Sequence, residues 1–362
     1  MSESHDHGAR LTIDLGALQH NYRLLAARAA AAETAAVVKA DAYGIGIAAA
    51  VPALIAAGCR TFYVAHLSEA AALRAVAPDV ALYVLNGLPP GSASRYHDLK
   101  ACPVLGCREE LDEWREKGRG RPCAIHVDTG MNRLGFTPEA ALTLDLSGLD
   151  VTTMLTHFVS SELPQDMFNA LQYEAFEEMH RAFPSLAASM ANSSAFFHDH
   201  APFCQQYRAG YALYGGNPTP HLPNPMRPVV RLDAEIVQVR AVPKGETVGY
   251  NGRWTAPRDS VVAIVSTGYA DGYPRNGANT DHKPGGSARV GGVTCPFAGN
   301  VSMDLIAVDV TFAPQELIGR GGTLALIDEV LTVDVVGQHA GTIGYEILTS
   351  LGRRYNRVYT GV

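Results

Sequence analysis

The 362-residue chain has no long apolar run and no basic cluster, and these absences exclude several classes of protein. No hydrophobic stretch approaches the roughly 20 residues that a helix needs to cross a bilayer, and no basic-then-apolar segment opens the chain. We therefore expect neither a membrane span nor a signal peptide. Lys and Arg number 29 against 36 Asp and Glu, which argues against nucleic acid or an anionic membrane as a partner. The sequence predicts a cytoplasmic protein.

The cysteine and histidine content gives no sign of a disulfide framework or a metal site. Six cysteines are scattered without C-x-x-C spacing, so we expect free thiols. Two His-Asp-His stretches, at 5–7 and 198–200, lack a third ligand at a usable spacing, and we predict no metal. With 47% hydrophobic and 18% charged residues the chain is globular, and its length favours two domains.

The first part of the chain alternates between short apolar runs and segments that have helical character. The runs are Ala35–Lys39, Thr61–Ala65, Leu82–Leu85, Pro103–Leu105, Ala124–Val127, Val151–Thr156, Ala187–Met190 and Tyr207–Leu213. The helical segments include Ile47–Ala57, Glu69–Ala75, Glu109–Glu116 and Phe168–Phe183. Alternation of this kind predicts parallel strands covered by helices, and a count of eight favours a closed (β/α)₈ barrel over an open doubly wound sheet. We place this domain at residues 9–228.

Near residue 228 the composition changes to β-rich alternation punctuated by glycine pairs and prolines. The predicted strands are Val229–Val242, Val261–Ser266, Ala288–Phe297, Leu305–Val310 and Leu324–Ile327. Two short helices are predicted at Val333–Ala340 and Gly344–Arg354. We expect a second, mainly antiparallel β-domain at residues 229–362.

Lys39 ends an apolar run that begins at Ala36, and Gly44 follows five residues later. A run of Ala and Val bounded by turn residues is typical of a buried strand, and lysine is rarely buried without a partner or a chemical role. At such a position the amine would be desolvated, its pKa lowered, and its nitrogen made nucleophilic toward a carbonyl. A lysine that reaches solvent as its strand ends is the plain alternative, and the local pattern leaves both open.

Other polar residues also lie at predicted strand ends. His157 follows the sixth strand, Asn192 and Ser193 follow the seventh, and Arg208 lies in the eighth. Singly they have ordinary explanations: a core histidine, a helix cap and an ion pair. Barrels of this type bind substrates at the carboxyl ends of their strands, and often a phosphate after strands seven and eight. Opposite Lys39, such a cradle is the arrangement that pyridoxal phosphate requires.

Eight short motifs then occur in order along the chain. They are Val-Val-Lys39-Ala-Asp-Ala-Tyr43-Gly, Asp128-Thr-Gly-Met-Asn-Arg133-Leu-Gly, Thr156-His157-Phe, Ala-Asn192-Ser193-Ser, Arg208-Ala-Gly210-Tyr211-Ala-Leu-Tyr-Gly, Val248-Gly-Tyr250, Gly268-Tyr269-Ala-Asp-Gly-Tyr273 and Gly299-Asn-Val-Ser-Met303-Asp304. In these motifs the chain resembles the alanine racemases, pyridoxal-phosphate enzymes built from an N-terminal (β/α)₈ barrel and a C-terminal β-domain. The resemblance runs from about Leu11 to Arg357.

The resemblance implies a role for each motif residue. Lys39 is similar to the Schiff-base lysine, which is also the base on one face of the substrate carbon. Tyr250 is similar to the opposite-face base, contributed by the other subunit of a homodimer. The implied cofactor-binding residues are Lys39, Tyr43, His157, Asn192, Ser193, Arg208, Gly210 and Tyr211. The implied substrate-side residues are Arg133, Met303, Tyr269 and Asp304, with Met303 again supplied by the partner subunit.

These residue types suit the implied interconversion of L-alanine and D-alanine, which supplies D-alanine for peptidoglycan precursors. Inverting a carbon requires a base on each face, here a neutral amine and a tyrosine near cations. An arginine at the pyridine nitrogen keeps that nitrogen unprotonated, because arginine does not readily give up its own proton. Arg208 in that position restrains charge delocalisation and should suppress transamination.

Some positions depart from the family pattern, and they leave other functions open. Ile45, His126, Asn300 and Arg353 differ from residues common in the family, and they bear on substrate range and phosphate binding. A broad-specificity amino-acid racemase stays open because of Asn300. A related decarboxylase predicts an acidic partner for the pyridine nitrogen, against which Arg208 argues. A non-catalytic pyridoxal-phosphate-binding protein would resemble the barrel alone and leave residues 230–362 without a purpose.

Overall fold

The computed structural model describes residues 7–198 and 203–361. Within them the chain forms two compact units. One contains the described residues up to Ala17, Tyr43–Ile45 and those from Pro228 onward, and the other contains Leu18–Ala42 and Gly46–Arg227. The composition change near residue 228 therefore coincides with a change of unit, although the start of the chain belongs with the C-terminal part.

The second unit contains a closed barrel of eight parallel strands, which confirms the predicted fold class. The strands are β2 (Glu33–Val37), β3 (Thr61–Val64), β4 (Ala81–Val84), β5 (Cys102–Leu105), β6 (Pro122–His126), β7 (Asp150–Leu155), β8 (Ala187–Ser189) and β9 (Gln206–Ala209). Pairing of Ala35 with Arg208 joins the first barrel strand to the last and closes the sheet. Closure therefore places the end of β2 beside the end of β9.

The strands alternate with helices, as the sequence predicted. From Leu15 to Ala182 these segments are α1 (Leu15–Arg28), α2 (Lys39–Tyr43), α3 (Ile47–Ala56), α4 (Leu67–Val76), α5 (Ala93–Leu99), α6 (Arg108–Lys117), α7 (Pro138–Leu142) and α8 (Met167–Ala182). The four helices that the alternation predicted correspond to α3, α4, α6 and α8. Leu111 and Trp114 of α6 illustrate the amphipathic pattern, since they are buried while their charged neighbours are not.

The first unit contains an eight-stranded, mainly antiparallel sheet. Its strands are β1 (Ala9–Asp14), β10 (Val230–Val242), β13 (Ser260–Val265), β14 (Ser287–Val290), β15 (Val293–Pro296), β16 (Ile306–Asp309), β17 (Thr323–Ile327) and β18 (Asn356–Thr360). The short strands β11 (Thr247–Val248) and β12 (Trp254–Thr255) form a separate pair, and two helices follow β17, α9 (Val333–Ala340) and α10 (Gly344–Thr349). The sheet order confirms a mainly antiparallel domain.

Two features of this sheet differ from the predicted elements. The run Ala288–Phe297 is not one strand but the hairpin β14–β15, because Gly291 and Gly292 adopt φ values of 54° and 81°. Strand β1 was not predicted; it pairs antiparallel with β10 and parallel with β18. The second predicted helix ends at Thr349 rather than Arg354.

No helix in the described part of the chain is both long and apolar enough to cross a membrane.

Candidate active site

The open mouth of the barrel carries the polar residues that the sequence placed at strand ends. Lys39 comes just after β2, His157 after β7, Ser193 after β8 and Arg208 within β9. Because β8, β9 and β2 are consecutive in the closed sheet, residues far apart in sequence lie on neighbouring strands. The arrangement gathers an amine, a guanidinium, an imidazole and a hydroxyl at one end of the barrel.

The segment that follows Lys39 has an unusual backbone. Ala40, Asp41 and Ala42 have φ/ψ values near 53°/49°, 55°/50° and 53°/54°, and Tyr43 continues with φ 51°. Four successive L-residues in the left-handed region cost about 1–2 kcal/mol each, so the surrounding contacts must hold the turn in place. The Asp41 carbonyl and carboxylate do part of this by accepting the N–H groups of Gly46 and Ile47 at 2.8 Å.

The surroundings of Lys39 lower the pKa of its amine. Partial desolvation in the barrel mouth is the main cause, and the positive charges of Arg133 and Arg208 act in the same direction. The carboxylate of Glu69 opposes them. The side chain stays accessible from the open mouth, so it is both reachable and biased toward the neutral, nucleophilic form. The lowered pKa agrees with the desolvated amine expected from the sequence.

Arg208 is a buried cation that is held by backbone and hydroxyl oxygens. Nη1 donates to Ser189 O at 2.8 Å and to Ser189 Oγ at 2.7 Å, and Nη2 donates to Thr156 O at 2.6 Å. Within the described residues its hydrogen-bond partners are these oxygens, and no carboxylate pairs with it. Burial lowers the pKa of the guanidinium. The group nevertheless keeps its proton, because the ordinary pKa of arginine lies far above neutral pH.

Two histidines beside this cation are held neutral. Burial, followed by the charges of Arg208, Arg133 and Lys39, lowers the pKa of His157 to about 3. Burial and Arg208 likewise lower the pKa of His126 to about 4. Because both imidazoles are neutral, they add no charge to the barrel mouth. The positive charge there comes from the basic side chains around them. His126 therefore lies near Arg133 as a neutral ring.

Ser193 forms a small cradle with the turn after β9. Its Oγ accepts the N–H groups of Gly210 at 3.0 Å and of Ala212 at 3.2 Å. Since both contacts use the oxygen as acceptor, its hydroxyl proton is what it can offer to a ligand. Asn192 is engaged structurally, with Oδ1 accepting from Ser161 Oγ at 2.8 Å and from Ala195 N–H at 3.3 Å. The Asn192 side chain therefore holds the turn that follows β8.

Arg133 lies on a loop that is organised by Asp128. The Asp128 carboxylate accepts N–H groups from Gly130, Met131 and Arg133 at 3.0, 2.8 and 3.0 Å. The arginine side chain itself is exposed and contributes positive charge to the mouth. A carboxylate that holds three amides fixes the loop while leaving the guanidinium free to meet an anion.

Four predicted residues, Tyr250, Tyr269, Met303 and Asp304, belong to the unit that contains the antiparallel sheet, whereas Tyr211 belongs to the barrel unit. Tyr250, Tyr269 and Met303 are 71%, 39% and 53% exposed, unusual values for large side chains with predicted site roles. Tyr269 and Met303 lie on touching loops, since Tyr269 N–H donates to Ser302 O at 3.0 Å and Ala270 N–H donates to Met303 O at 3.0 Å. A Cβ on Gly268 would lie 2.3 Å from both of these carbonyl oxygens, so only glycine permits the approach.

Tyr43 belongs to this same unit, where it has a neighbour that the sequence analysis missed. Its ring centroid is 6.1 Å from that of Tyr345, the second residue of α10. Burial raises the pKa of Tyr43, which keeps the phenol protonated and able to donate. Asn300 donates from Nδ2 to the Tyr250 carbonyl at 3.0 Å, so this departure from the family pattern supports the Tyr250 turn.

Comparison with known proteins identifies the family to which the chain belongs. The family model for the N-terminal domain of alanine racemase matches residues 13–218, and the model for the C-terminal domain matches residues 229–359. The chain belongs to the alanine racemase family. It is 56% identical to an alanine racemase of Methylobacterium nodulans, over 99% of this chain and 98% of that protein.

Structural comparison gives the same family. The crystal structure of alanine racemase from Bartonella henselae, which has covalently bound pyridoxal phosphate, superposes with a TM-score of 0.91 at 35% identity, covering 98% of this chain and 99% of that one. The biosynthetic alanine racemase of Pseudomonas aeruginosa superposes with a TM-score of 0.89 at 32% identity, covering 98% and 99%. The resemblance found in the motifs is confirmed.

The donor set fits a phosphorylated pyridine aldehyde. Lys39 supplies an amine of lowered pKa, Arg208 supplies a buried cation, and the Ser193 hydroxyl offers its proton after β8. Within residues 7–198 and 203–361, no group of three His, Cys, Asp or Glu side chains is arranged to hold a metal ion. Residues 5, 6, 199 and 200 of the two His-Asp-His stretches lie outside the described residues.

Sequence analysis missed several residues that shape this site. Glu69 bonds the amide after Lys39, Ser189 holds Arg208, and Gln172 donates to the His157 carbonyl at 2.9 Å. Their only sequence signals are modest: Glu69 is the third residue of a helix, Ser189 ends a strand, and Gln172 is a polar residue on the buried face of α8. None of these signals identifies a partner more than a few residues away.

Proposed function

We propose that this chain is a pyridoxal-phosphate-dependent racemase that interconverts L-alanine and D-alanine with Lys39 and Tyr250 as its two bases. The observation that carries the proposal is the environment of Lys39, an accessible amine whose pKa is lowered by desolvation and by Arg133 and Arg208. Family membership supports the activity, and the Bartonella henselae structure supports the cofactor.

When bound, the cofactor acidifies the α-hydrogen of an attached amino acid by serving as an electron sink. The chain's own residues do the rest. Lys39 holds or removes a proton on one face of the carbon, and Tyr250 holds the proton on the other. Arg208 presents a permanent positive charge to the pyridine nitrogen and offers it no proton. Arg133 orients the substrate carboxylate, with the Met303 amide, Tyr269 and Asp304 as the other substrate-side groups.

Cofactor binding uses the groups at the ends of β7, β8 and β9. In this proposal the Ser193 hydroxyl and the Tyr43 phenol donate to the phosphate, with backbone groups of Gly210 and Tyr211 beside them. His157 packs at the ring as a neutral imidazole, which agrees with its pKa of about 3. Asn192 contributes through the turn that presents Ser193.

We propose that the active enzyme is a homodimer in which each Tyr250 and Met303 serves the partner's barrel. The exposure of Tyr250 at 71% and Met303 at 53% supports this, because a second subunit would cover both side chains. From the family resemblance we also propose a cytoplasmic enzyme that provides D-alanine for peptidoglycan precursors. We also propose that residues 9–228 form the cofactor-binding domain and residues 229–362 the second domain.

The deciding experiment incubates the purified protein with L-alanine in D₂O, with L-serine and L-lysine in parallel. We expect D-alanine that carries an α-deuteron, formed much faster than the other D-amino acids. Release of carbon dioxide would instead indicate a decarboxylase, and comparable turnover of serine a broad-specificity racemase. Unchanged amino acids with a yellow, cofactor-loaded protein would overturn the catalytic proposal.

The two-base assignment is tested by matched variants. Lys39→Ala should abolish covalent cofactor attachment, measured by borohydride reduction and peptide mass analysis. Tyr250→Phe should leave attachment intact and slow α-hydrogen exchange from one enantiomer only. Equal loss of exchange from both enantiomers, with no isotope asymmetry, would contradict the assignment.

A further inference from the structure

One carboxylate connects the lysine turn to the neighbouring βα loop of the barrel. Glu69 Oε1 accepts the N–H of Ala40 at 2.6 Å, and Oε2 accepts the N–H groups of Ala65 at 2.7 Å and His66 at 3.0 Å. Ala40 is the residue immediately after Lys39, whereas Ala65 and His66 lead from β3 into α4. Charge-assisted bonds to backbone amides are among the stronger hydrogen bonds in proteins.

The position of Glu69 explains how it serves both segments. It is the third residue of α4, where a glutamate side chain commonly reaches back to the amide of the residue that precedes the helix. Ala40 begins the left-handed turn, and its N–H has no acceptor within that turn, as at the start of any helix. Glu69 thus caps a right-handed helix with one oxygen and a left-handed turn with the other.

We propose that Glu69 is a positioning residue that fixes the peptide after Lys39 and so holds the lysine amine in the barrel mouth. This rests on the proposed function, in which Lys39 carries the cofactor. The left-handed turn is costly and short, so it needs an external anchor at its first amide. Glu69 is also the carboxylate that offsets Arg133 and Arg208 at the amine, with the neutral His157 close by.

The same fold contains a matched control. Glu110 is the third residue of α6; its Oε2 accepts the N–H of Gly106 at 2.7 Å and its Oε1 accepts that of Leu88 at 2.9 Å. Glu110 therefore bonds its own helix entrance and the preceding loop in the way that Glu69 does. The loop it reaches carries no predicted site residue. A variant of Glu110 loses the same kind of cap without touching Lys39.

The test measures Lys39 itself rather than turnover. Full-length protein freed of cofactor is mixed with pyridoxal phosphate across a pH series, and attachment at Lys39 is trapped with borohydride and read by peptide mass. In the alkaline plateau the amine is neutral, so the rate reports its placement and not its charge. We expect Glu69→Gln to slow this plateau rate about tenfold, the loss typical of one strong hydrogen bond, and Glu110→Gln to leave it unchanged.

A second variant distinguishes the effect of the Glu69 charge from the effect of its side-chain length. Glu69→Gln should move the pH midpoint for attachment downward, since an attractive negative charge near the amine is lost. Glu69→Asp keeps the charge but is one methylene shorter, so it should slow the plateau rate with little change in the midpoint. Plateau rates of both variants equal to that of Glu110→Gln would overturn the proposal.

Wild-type protein supplies a check that needs no variant. The Ala40 amide should exchange its hydrogen far more slowly than an open amide, and exchange at the unprotected rate would show that the Glu69 contact is absent and overturn the proposal. Failure of the wild type to attach pyridoxal phosphate at Lys39 would refute the proposed function instead. The two failures are therefore distinguishable.

Discussion

Arg354 Nε lies 3.0 Å from Asp271 Oδ1, and this ion pair anchors the first of two loops that carry proposed substrate residues. Asp271 ends the short turn that begins at Tyr269, and it also accepts the N–H of Gly268 at 2.9 Å. The other end of the guanidinium donates to Asp304 at 2.8 Å, next to Met303. Arg354 therefore reinforces, through side chains, the backbone bonds between the same two loops.

Arg354→Ala should affect substrate binding more than turnover. Loss of the two ion pairs leaves the Tyr269 and Met303 loops joined only by backbone bonds, so the Met303 amide meets the substrate carboxylate less consistently. We expect KM for alanine to rise roughly fivefold with a smaller change in kcat, as follows when uniform binding is lost.

The control for this prediction is Arg289→Ala. Arg289 also contacts two carboxylates, Asp328 at 2.7 Å and Glu329 at 3.0 Å, which lie just after β17 and away from the proposed site residues. Equal changes in KM for the two variants would show that Arg354 acts through general stability and not through the loops.

Ser189→Ala should destabilise the barrel measurably. The Ser189 hydroxyl is fully buried, donates to Gln206 O at 3.0 Å and accepts from Arg208 at 2.7 Å. Its removal takes one donor from a buried carbonyl and one acceptor from a buried cation, which together cost about 1–3 kcal/mol. Urea unfolding measures the loss.

The matched variant for Ser189→Ala is Ser92→Ala. Ser92 donates to Pro89 O in a solvent-exposed turn, where a substitution should change the unfolding free energy by less than about 0.5 kcal/mol. A loss at Ser189 no larger than that at Ser92 would contradict the importance of the Arg208 contact.

Most of the fold could be predicted from the sequence because its signals are local. Each barrel strand is a short apolar run between turn residues, and all eight were found within a few residues of their true ends. The last was predicted to continue to Leu213, but it ends at Ala209 because Gly210 turns the backbone to φ −126° and ψ −103°. Strand β1 was missed because its partners lie more than 200 residues away.

The candidate site also contains residues that could be predicted from the sequence and residues that could not. Lys39, Arg208 and Ser193 could be found because they occur in recognisable motifs at strand ends. Glu69 and Tyr345 could not, because their roles depend on contacts with Ala40 and Tyr43 that only the folded chain creates. The proposed ligand-binding residues could be recognised in sequence motifs. The residues that position them could be recognised only from their contacts in the folded chain.

The two depressed histidines predict an acid limb in the stability of the protein. A histidine whose pKa is about 3 or 4 when folded and about 6.5 when unfolded takes up its proton on unfolding between those values. The unfolded state then binds more protons, so the unfolding free energy falls as the pH drops below 6.5 and levels off near 3. This contribution is fully present above pH 6.5.

Replacing His157 by Asn should make that limb shallower by about one proton per molecule, read as the slope of unfolding free energy against pH between 6 and 4. His157→Gln, a second uncharged replacement at the same position, should make the limb shallower by the same amount. A His157→Asn slope identical to that of the wild type would mean that the imidazole titrates alike in both states.

The left-handed turn predicts that the same substitution affects stability differently at two alanines. At Ala40, with φ 53° and ψ 49°, glycine removes a steric cost of about 1–2 kcal/mol that exceeds the entropy it adds to the unfolded chain. At Ala57, with φ −79° and ψ −8°, there is no such cost to remove. Ala40→Gly should therefore raise the unfolding midpoint or leave it level, whereas Ala57→Gly should lower it. If both substitutions lower it equally, Ala40 is not held in the left-handed region, and the turn that presents Lys39 has a different geometry in solution.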